Sequence, residues 1–408
     1  MADFGEILQT VGEFGLFQKT ILFALCFPNL ILNFHLASLI FVESDPERHC
    51  NTDWILKSAP NLTTEEQLNL TLPRREDGSF SRCSMFVPVD WDIQTIREYG
   101  LNDTTGCTNG WVYSNMKYES TIVTDFDLVC DQAFLKEVAQ AVFMAGSLAG
   151  CLLLGPFAES FGRKRATQIP VFLMLIFSVT TGLCPNLYLY LLSQFIVGIG
   201  YGGYRLNSVI LATEWIGPSR RSWGACATQL FGALGQSVLA GLIYYIRNWR
   251  LAQFIPESAR CLLGRGRIDE AKLLITKVAA INKRTISDSM LEKIVMKETE
   301  TKGGIIVLFQ SPVLRKYFLT IIMAWFSLNL TYYCLSFNVG NFGLDIFLTQ
   351  AMFGLTELPA HILCIWLLEF VGRKVSIMST LLIGGFLCFL ILAVPQVLYH
   401  IVRHQFPR

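Results

Sequence analysis

One arginine stands in the run GIGYGGYRLNS with no other charge for more than a dozen residues on its N-terminal side. Charges inside long apolar segments are expensive, and they mark places where something charged must be held. A buried guanidinium such as Arg205 grips a carboxylate through two parallel hydrogen bonds. Asn207, two residues on, is a second polar group of that run. The competing use of Arg205 is an internal pair with a neighbouring acid or carbonyl. His361 follows Glu357 by one helical turn in TELPAHIL. It offers either a weak positive partner for an anion or an i,i+4 pair with Glu357. His35, in FPNLILNFHLASLIFV, is the third ionisable candidate, set against a plain helix-packing histidine. The glycines Gly198, Gly200, Gly202 and Gly203 allow close helix approach. They do not form a phosphate loop, because no strand precedes them and no Lys-Ser or Lys-Thr closes them. Phe231, Tyr244 and Tyr245 are aromatic enough to line a cavity, although core packing accounts for each equally simply.

Two polar turns repeat. Glu159-Ser-Phe-Gly162-Arg163-Lys164 and Glu369-Phe-Val-Gly372-Arg373-Lys374 share the pattern E-x-x-G-R-K, each between two apolar runs. Glycine permits a tight turn, the acid can meet an arginine or a helix N-terminus, and the basic pair holds the turn at one membrane face. A repeat in matching places of two halves points to a transporter built from internal repeats.

The elements that carry these residues are long apolar helices. Of 408 residues 52% are hydrophobic and the net charge is +1, which excludes a nucleic-acid partner and disfavours a soluble enzyme. A helix crosses the hydrocarbon core with ~20 apolar residues. Eight runs qualify, at 17–42, 135–157, 167–184, 187–216, 223–246, 317–339, 344–371 and 375–394. The head, 1–16, is acidic and reads as an N-terminus without a cleavable leader; the tail is 395–408. Residues 43–132 form a large polar loop. It holds Cys50, Cys83, Cys107 and Cys130 and the glycosylation sequons at Asn61, Asn69 and Asn102. Four cysteines there imply two disulfides in an oxidising compartment, with about three pairings open. A fourth sequon, at Asn329, falls inside an apolar run and is read as chance. Neither a metal motif nor a cofactor signature occurs.

Basic residues in short loops set orientation. Arg163, Lys164, Arg165, Arg220, Arg221, Arg373 and Lys374 place their turns, and the N-terminus, in the cytoplasm, with the sequon loop outside. Parity then fails in 247–316. The fifth run ends outside at Arg250, while the Lys- and Arg-rich stretch from Pro256, with an amphipathic helix in GRIDEAKLLITKVAAINKR, belongs inside. Only Leu251 to Ile255 lie between. Five residues reach roughly 17 Å fully extended, against ~30 Å of hydrocarbon. A span is expected to be missing.

Gly155 to Arg165, GPFAESFGRKR, resembles the loop 2–3 signature of the major facilitator superfamily, with Glu159-Ser160 where that family usually has Asp-Arg. Glu214 followed by Arg220 resembles its second signature. Asn248-Trp249-Arg250 and the stretch PESARCLL from Pro256 resemble the organic ion transporters of solute carrier family 22. The similarity extends to about Val394. It implies a glycosylated loop after the first span and twelve spans, with the sixth between those two motifs and the tenth to twelfth after Val394. The fold expected is therefore an all-α integral membrane protein, an incomplete major facilitator fold of about eight helices. In the organic-anion branch a basic residue commonly follows the D/E-x-P-A element, which His361 matches, and Tyr332 and Tyr333 match a tyrosine pair in the seventh span. The resemblance implies alternating access with small organic anions, urate and nicotinate-like monocarboxylates among them, and an exchanged counter-anion. It leaves open an organic-cation carrier and a non-transporting form that associates with full-length relatives. The plasma membrane is the expected location, and the lipid bilayer the expected surroundings.

Overall fold

The computed structural model describes residues 14–42, 46–76, 78–114, 120–216, 220–245, 249–250, 311–337 and 346–405. Eight long helices dominate. They are α1 (Leu16–Val42), α5 (Phe134–Phe161), α6 (Arg163–Leu183), α7 (Leu187–Trp215), α8 (Arg221–Tyr245), α9 (Pro312–Phe337), α10 (Ile346–Phe370) and α11 (Arg373–Gln405). Between α1 and α5 lie the short helices α2 (Thr64–Thr71), α3 (Ile93–Tyr99) and α4 (Ile122–Asp125). The strands β1 (Glu47–Cys50), β2 (Ser84–Phe86), β3 (Thr104–Gly106) and β4 (Trp111–Ser114) share that region. Each apolar run became one helix. The last continues past residue 394 to Gln405, since one proline removes a single backbone donor without ending a membrane helix.

Seven of the described helices are long and apolar enough to cross a membrane. Helix α7, at 29 residues, has the length but carries glycine, asparagine, serine and Arg205 through its middle. Those residues face protein: α7 is held by α5 on one side and α6 on another. Glycines set the α5–α7 spacing. A methyl group on Gly146 or Gly150 would strike the carbonyls of Phe195 and Ile199. One on Gly198 or Gly202 would strike those of Phe143 and Ser147. Interleaved small residues at four-residue spacing bring the two backbones together, as in membrane helix pairs generally. Helix α8 packs against α1 on one side and α10 on the other. At the second contact Gly354 seats on Ser237.

Helix direction alternates. The Phe17 ring meets Trp215, and Arg163 meets Glu214, at the end that carries the basic turns. Tyr244 meets Phe347 at the other end. That opposite end bears the disulfide-bonded domain. There β1 pairs antiparallel with β4, and β2 with β3. The cysteines pair as Cys50–Cys107 and Cys83–Cys130. Cys50, Leu72 and Met85 form a small buried core beside the first bridge. A capping box at Thr63 and Glu66 starts α2. The disulfide-bonded loop expected at 43–132 is thus a small domain of mixed α and β structure. Asn61, Asn69 and Asn102 all lie on its exposed surface.

Trp249 and Arg250 clamp this domain to the bundle. The Trp249 ring packs among Ile122, Val123, Phe126 and Tyr190, and its N–H donates to Asp125 at 3.0 Å. Arg250 donates to the same carboxylate and to the carbonyls of Gly182 and Cys184. Arg250 therefore stands at the disulfide end. Ser311 precedes α9, whose C-terminus is separated from α10 by residues 338–345. The joint at 251–255, the motif from Pro256 and the amphipathic helix lie outside the described residues, as does the head 1–13.

Candidate substrate site

Arg205 projects from α7 into the space between the two sets of helices. Its Nη1 donates to the Tyr201 hydroxyl at 2.7 Å, one turn earlier on the same helix. Its Nη2 donates to the side-chain oxygen of Gln229, on α8, at 3.3 Å. From α9 Tyr333 lies within electrostatic reach of Arg205. Tyr332 stacks edge-on against Tyr333, ring centroids 5.3 Å apart, and donates to Glu357 of α10 at 3.1 Å. Glu357 interacts electrostatically with Arg205. Four helices thus converge on one guanidinium and one carboxylate, joined through phenols and an amide.

Local sequence explains the aim of each group. Tyr201 and Arg205 share a helix face because they are four residues apart. Tyr201 also packs on Phe143 of α5, ring centroids 5.4 Å apart, so the α7 face that carries Arg205 adjoins the close contact at Gly198 and Gly202. Both acceptors of Arg205 are neutral, so its charge is hydrogen-bonded but not cancelled at contact. A carboxylate in place of the phenol and amide oxygens would gain a charge-assisted bond.

The other expected residues divide. Tyr332 and Tyr333 join Arg205. His361 lies one turn beyond Glu357, but Glu357 bonds Tyr332 instead, and no ion pair links the two. His35 is buried and shares a 2.9 Å hydrogen bond with Ser178 of α6, which places it in helix packing. Asn207 is fully buried and donates to the carbonyls of Leu154 and Gly203, binding α7 to α5 rather than facing Arg205. Phe231 packs edge-on against Phe23, and Tyr244 against Phe347. Tyr201, Gln229 and Glu357 are site members that sequence reasoning did not nominate. The i,i+4 relation to Arg205 was the available signal for Tyr201, and a lone amide in an apolar helix the signal for Gln229.

The repeated turns are built alike. Gly162 and Gly372 adopt φ of 90° and 87°, a left-handed conformation that glycine takes without strain. Arg163 pairs with Glu214 at 3.0 Å, fixing the α6 start to the α7 end. Glu369 accepts from the Trp223 indole at 2.7 Å and lies 3.9 Å from Arg220, fixing the α10 end to the α8 start. Gly155 lies in α5 with a side-chain neighbour, Leu206, at ordinary contact distance. Glu159, Lys164, Arg373 and Lys374 sit at the basic end beside these locks. No group of three or more metal-ligating side chains forms among the described residues.

Residues 97–253 and 242–405 match the sugar (and other) transporter family. Human solute carrier family 22 member 13 is 38% identical over 97% of this chain and 75% of its own length. This chain belongs to solute carrier family 22. Human member 14 of the family is 32% identical over 96% of this chain and 69% of its own length. Organic anion transporter 3 of Oryctolagus cuniculus is 32% identical over 96% and 74%. The chain is accordingly a multi-pass membrane protein of a transporter family, with the major facilitator fold. The two matched segments overlap at 242–253, the region of the anomalous joint.

Proposed function

We propose that this family 22 member carries small organic anions, with Arg205 as the residue that holds the anionic group. One observation carries the reading: a guanidinium inside the bundle whose hydrogen bonds run to neutral, replaceable acceptors, Tyr201 and Gln229. Tyr332 and Tyr333 supply ring faces for an apolar body and hydroxyls for a polar atom. Nicotinate-like aromatic monocarboxylates and urate fit this pattern, and a second anion leaving by the same site makes the process an exchange. The similarity to organic anion transporter 3 supports the class of cargo.

Movement follows from where the contacts lie. Helices α7 and α8 come from one half, α9 and α10 from the other, and the site lies between them. At the basic end the halves touch through Trp223–Glu369 and Arg220–Glu369. Parting this contact while closing the far end exposes Arg205 to the other side, the alternating access of repeat-built carriers. No covalent step is involved. The basic turns favour the cytoplasm, and the exposed sequon asparagines favour the extracellular side for the disulfide domain. The plasma membrane is the compartment in which that arrangement serves uptake. The joint at 251–255 leaves the sixth span of the family unaccounted for in sequence, and a chain without it would have impaired cycling.

A second reading draws on Glu357, a carboxylate at the same site, as the anchor of an organic cation. Uptake of labelled nicotinate and of a labelled quaternary ammonium into cells expressing the chain separates the two. The anion reading expects saturable nicotinate uptake that R205A abolishes. Saturable ammonium uptake lost in E357Q overturns it. Uptake of neither, with nicotinate binding retained by the purified protein, points to a non-transporting member that acts on full-length relatives.

A further inference from the structure

We infer that Cys226 and Cys364 form a thiol pair that hydroperoxides oxidise to a disulfide, and that this bond locks the two halves together at the basic end. Cys226 lies on α8 and Cys364 on α10, so the pair spans the helices through which the halves touch. Contacts along these two helices fix their register. At the basic end the Trp223 indole bonds Glu369. Midway Gly354 seats on Ser237, and at the far end Tyr244 meets Phe347. The two helices thus run antiparallel along one continuous seam. Cys226 stands one turn along α8 from Trp223, and Cys364 just over one turn back along α10 from Glu369. The register therefore sets both cysteines at the same depth, and the two thiols lie within electrostatic reach of each other. Both are free cysteines, Cys226 buried and Cys364 exposed.

The difference in exposure gives each thiol a role. A small hydroperoxide such as hydrogen peroxide reaches the exposed sulfur first. Cys364–SH plus H₂O₂ gives Cys364–SOH plus water. The Cys226 sulfur then attacks the sulfenic sulfur; the S–S bond forms, the S–O bond breaks, and hydroxide leaves with the Cys226 proton as water. Two thiols and one peroxide become one disulfide and two waters. Each sulfur gives up one electron, and the peroxide oxygens take both. Exchange with cellular thiols reverses the bond, so a pair at an end facing a reducing compartment stays open until peroxide rises. The resting contact there is non-covalent: the Trp223–Glu369 bond, with Arg220 3.9 Å from the same carboxylate. Alternating access requires this end to part, and a covalent tie one turn deeper forbids it. The chemistry of the pair stands on the seam alone; the arrest of transport rests on the anion reading above.

The test uses cells expressing the full chain, treated with hydrogen peroxide. Uptake of labelled nicotinate is measured before peroxide, after it, and after dithiothreitol. Membranes from the same cells are blocked with N-ethylmaleimide and digested without reductant, and mass spectrometry reads the bond. The expected result is a Cys226–Cys364 cross-linked peptide that appears with peroxide and disappears with dithiothreitol, while nicotinate uptake falls severalfold and recovers. C364S, at an exposed position that leaves the packing intact, and C226A are each expected to lose the cross-link and to keep their uptake under peroxide. A wild-type chain whose Cys226 and Cys364 are both recovered as alkylated thiols after peroxide overturns the proposal and leaves the anion reading intact. A cross-link that forms with no change in uptake, or an uptake loss that persists in C364S, overturns the lock. Absence of nicotinate uptake before peroxide overturns the anion reading and the arrest with it, while the cross-linked peptide still decides the pair.

Discussion

The indole N–H of Trp223, at the start of α8, donates to the carboxylate of Glu369, at the end of α10, at 2.7 Å. This bond joins the two halves at the basic end, and Arg220 stacks over the same indole, 5.6 Å from the ring centre. A hydrogen bond to a charged group contributes about 1.5–3 kcal/mol, less when partly solvated. Loss of ~1 kcal/mol shifts an open–closed equilibrium about fivefold. W223F is therefore expected to open this end. Cys226 lies one turn inside it and is buried. Its labelling by a maleimide should rise severalfold in W223F, and unchanged labelling would show that the bond does not hold the halves together.

Arg205 is a fork, not a point charge. Its two terminal nitrogens reach acceptors on different helices. R205K keeps the charge but cannot satisfy both. Truncating one partner of a buried charged contact costs about 2–5 kcal/mol. A loss of nicotinate binding of at least tenfold in R205K is expected, and a larger loss in R205A. Equal binding by R205K and wild type would mean that the guanidinium serves packing alone.

What could be read from the sequence follows from where the information lies. Helix placement was legible because apolar runs and basic turns are local signals, and each helix but the last, which runs on through the expected tail to Gln405, falls within a few residues of its run. Arg205 was legible because a lone charge in an apolar run has few explanations. Its partners were not. Gln229 and Glu357 sit on other helices, and only tertiary packing brings them in. Asn207 shares a run with Arg205 yet points to α5, because residues two apart on a helix face different ways. The pairing Cys50–Cys107 and Cys83–Cys130 was equally hidden, since spacing alone permits the alternatives. His35 carried two readings, ligand group and helix-packing histidine, and the ring's bond to Ser178 of α6 favours the second.

The α5–α7 contact is built on absent side chains. A methyl at Gly202 would meet the Ser147 carbonyl, which is backbone and cannot turn aside. Overpacking a tight contact costs about 1–3 kcal/mol, and more where backbone must move. G202A is expected to lower the melting temperature in detergent by several degrees. G384A is the control, because nothing stands near that glycine. Equal melting temperatures for the two variants would contradict the close approach.

Asp125 is the common acceptor of Trp249 and Arg250. D125N keeps the shape and removes the charge, leaving a guanidinium that still bonds the carbonyls of Gly182 and Cys184. The disulfide domain should loosen from the bundle by about 1–3 kcal/mol, the usual range for a lost charged hydrogen bond. Limited proteolysis at the disulfide end, faster in D125N than in wild type, is the readout; identical digestion would assign the attachment to the apolar cluster around Trp249 instead.

The disulfide domain should weaken in acid. Burial holds the His49 imidazole below its ordinary 6.5, opposed in part by the nearby Asp53 carboxylate. An unfolded chain then binds more protons than the folded one as pH falls through 6.5. Stability from His49 is full above that value and is lost on going down towards the depressed folded value. Glu66 acts in the same direction at lower pH. Bonds from the Thr63 backbone and hydroxyl hold its carboxyl below the usual carboxylate range. Its contribution is present above the unfolded value and lost as pH falls through the folded one. Protease resistance of the domain should therefore drop in two stages on acidification, the first near pH 6.5 and the second in the carboxylate range. H49Q should remove the first stage and leave the second. A first stage that survives H49Q would transfer the titration to another group.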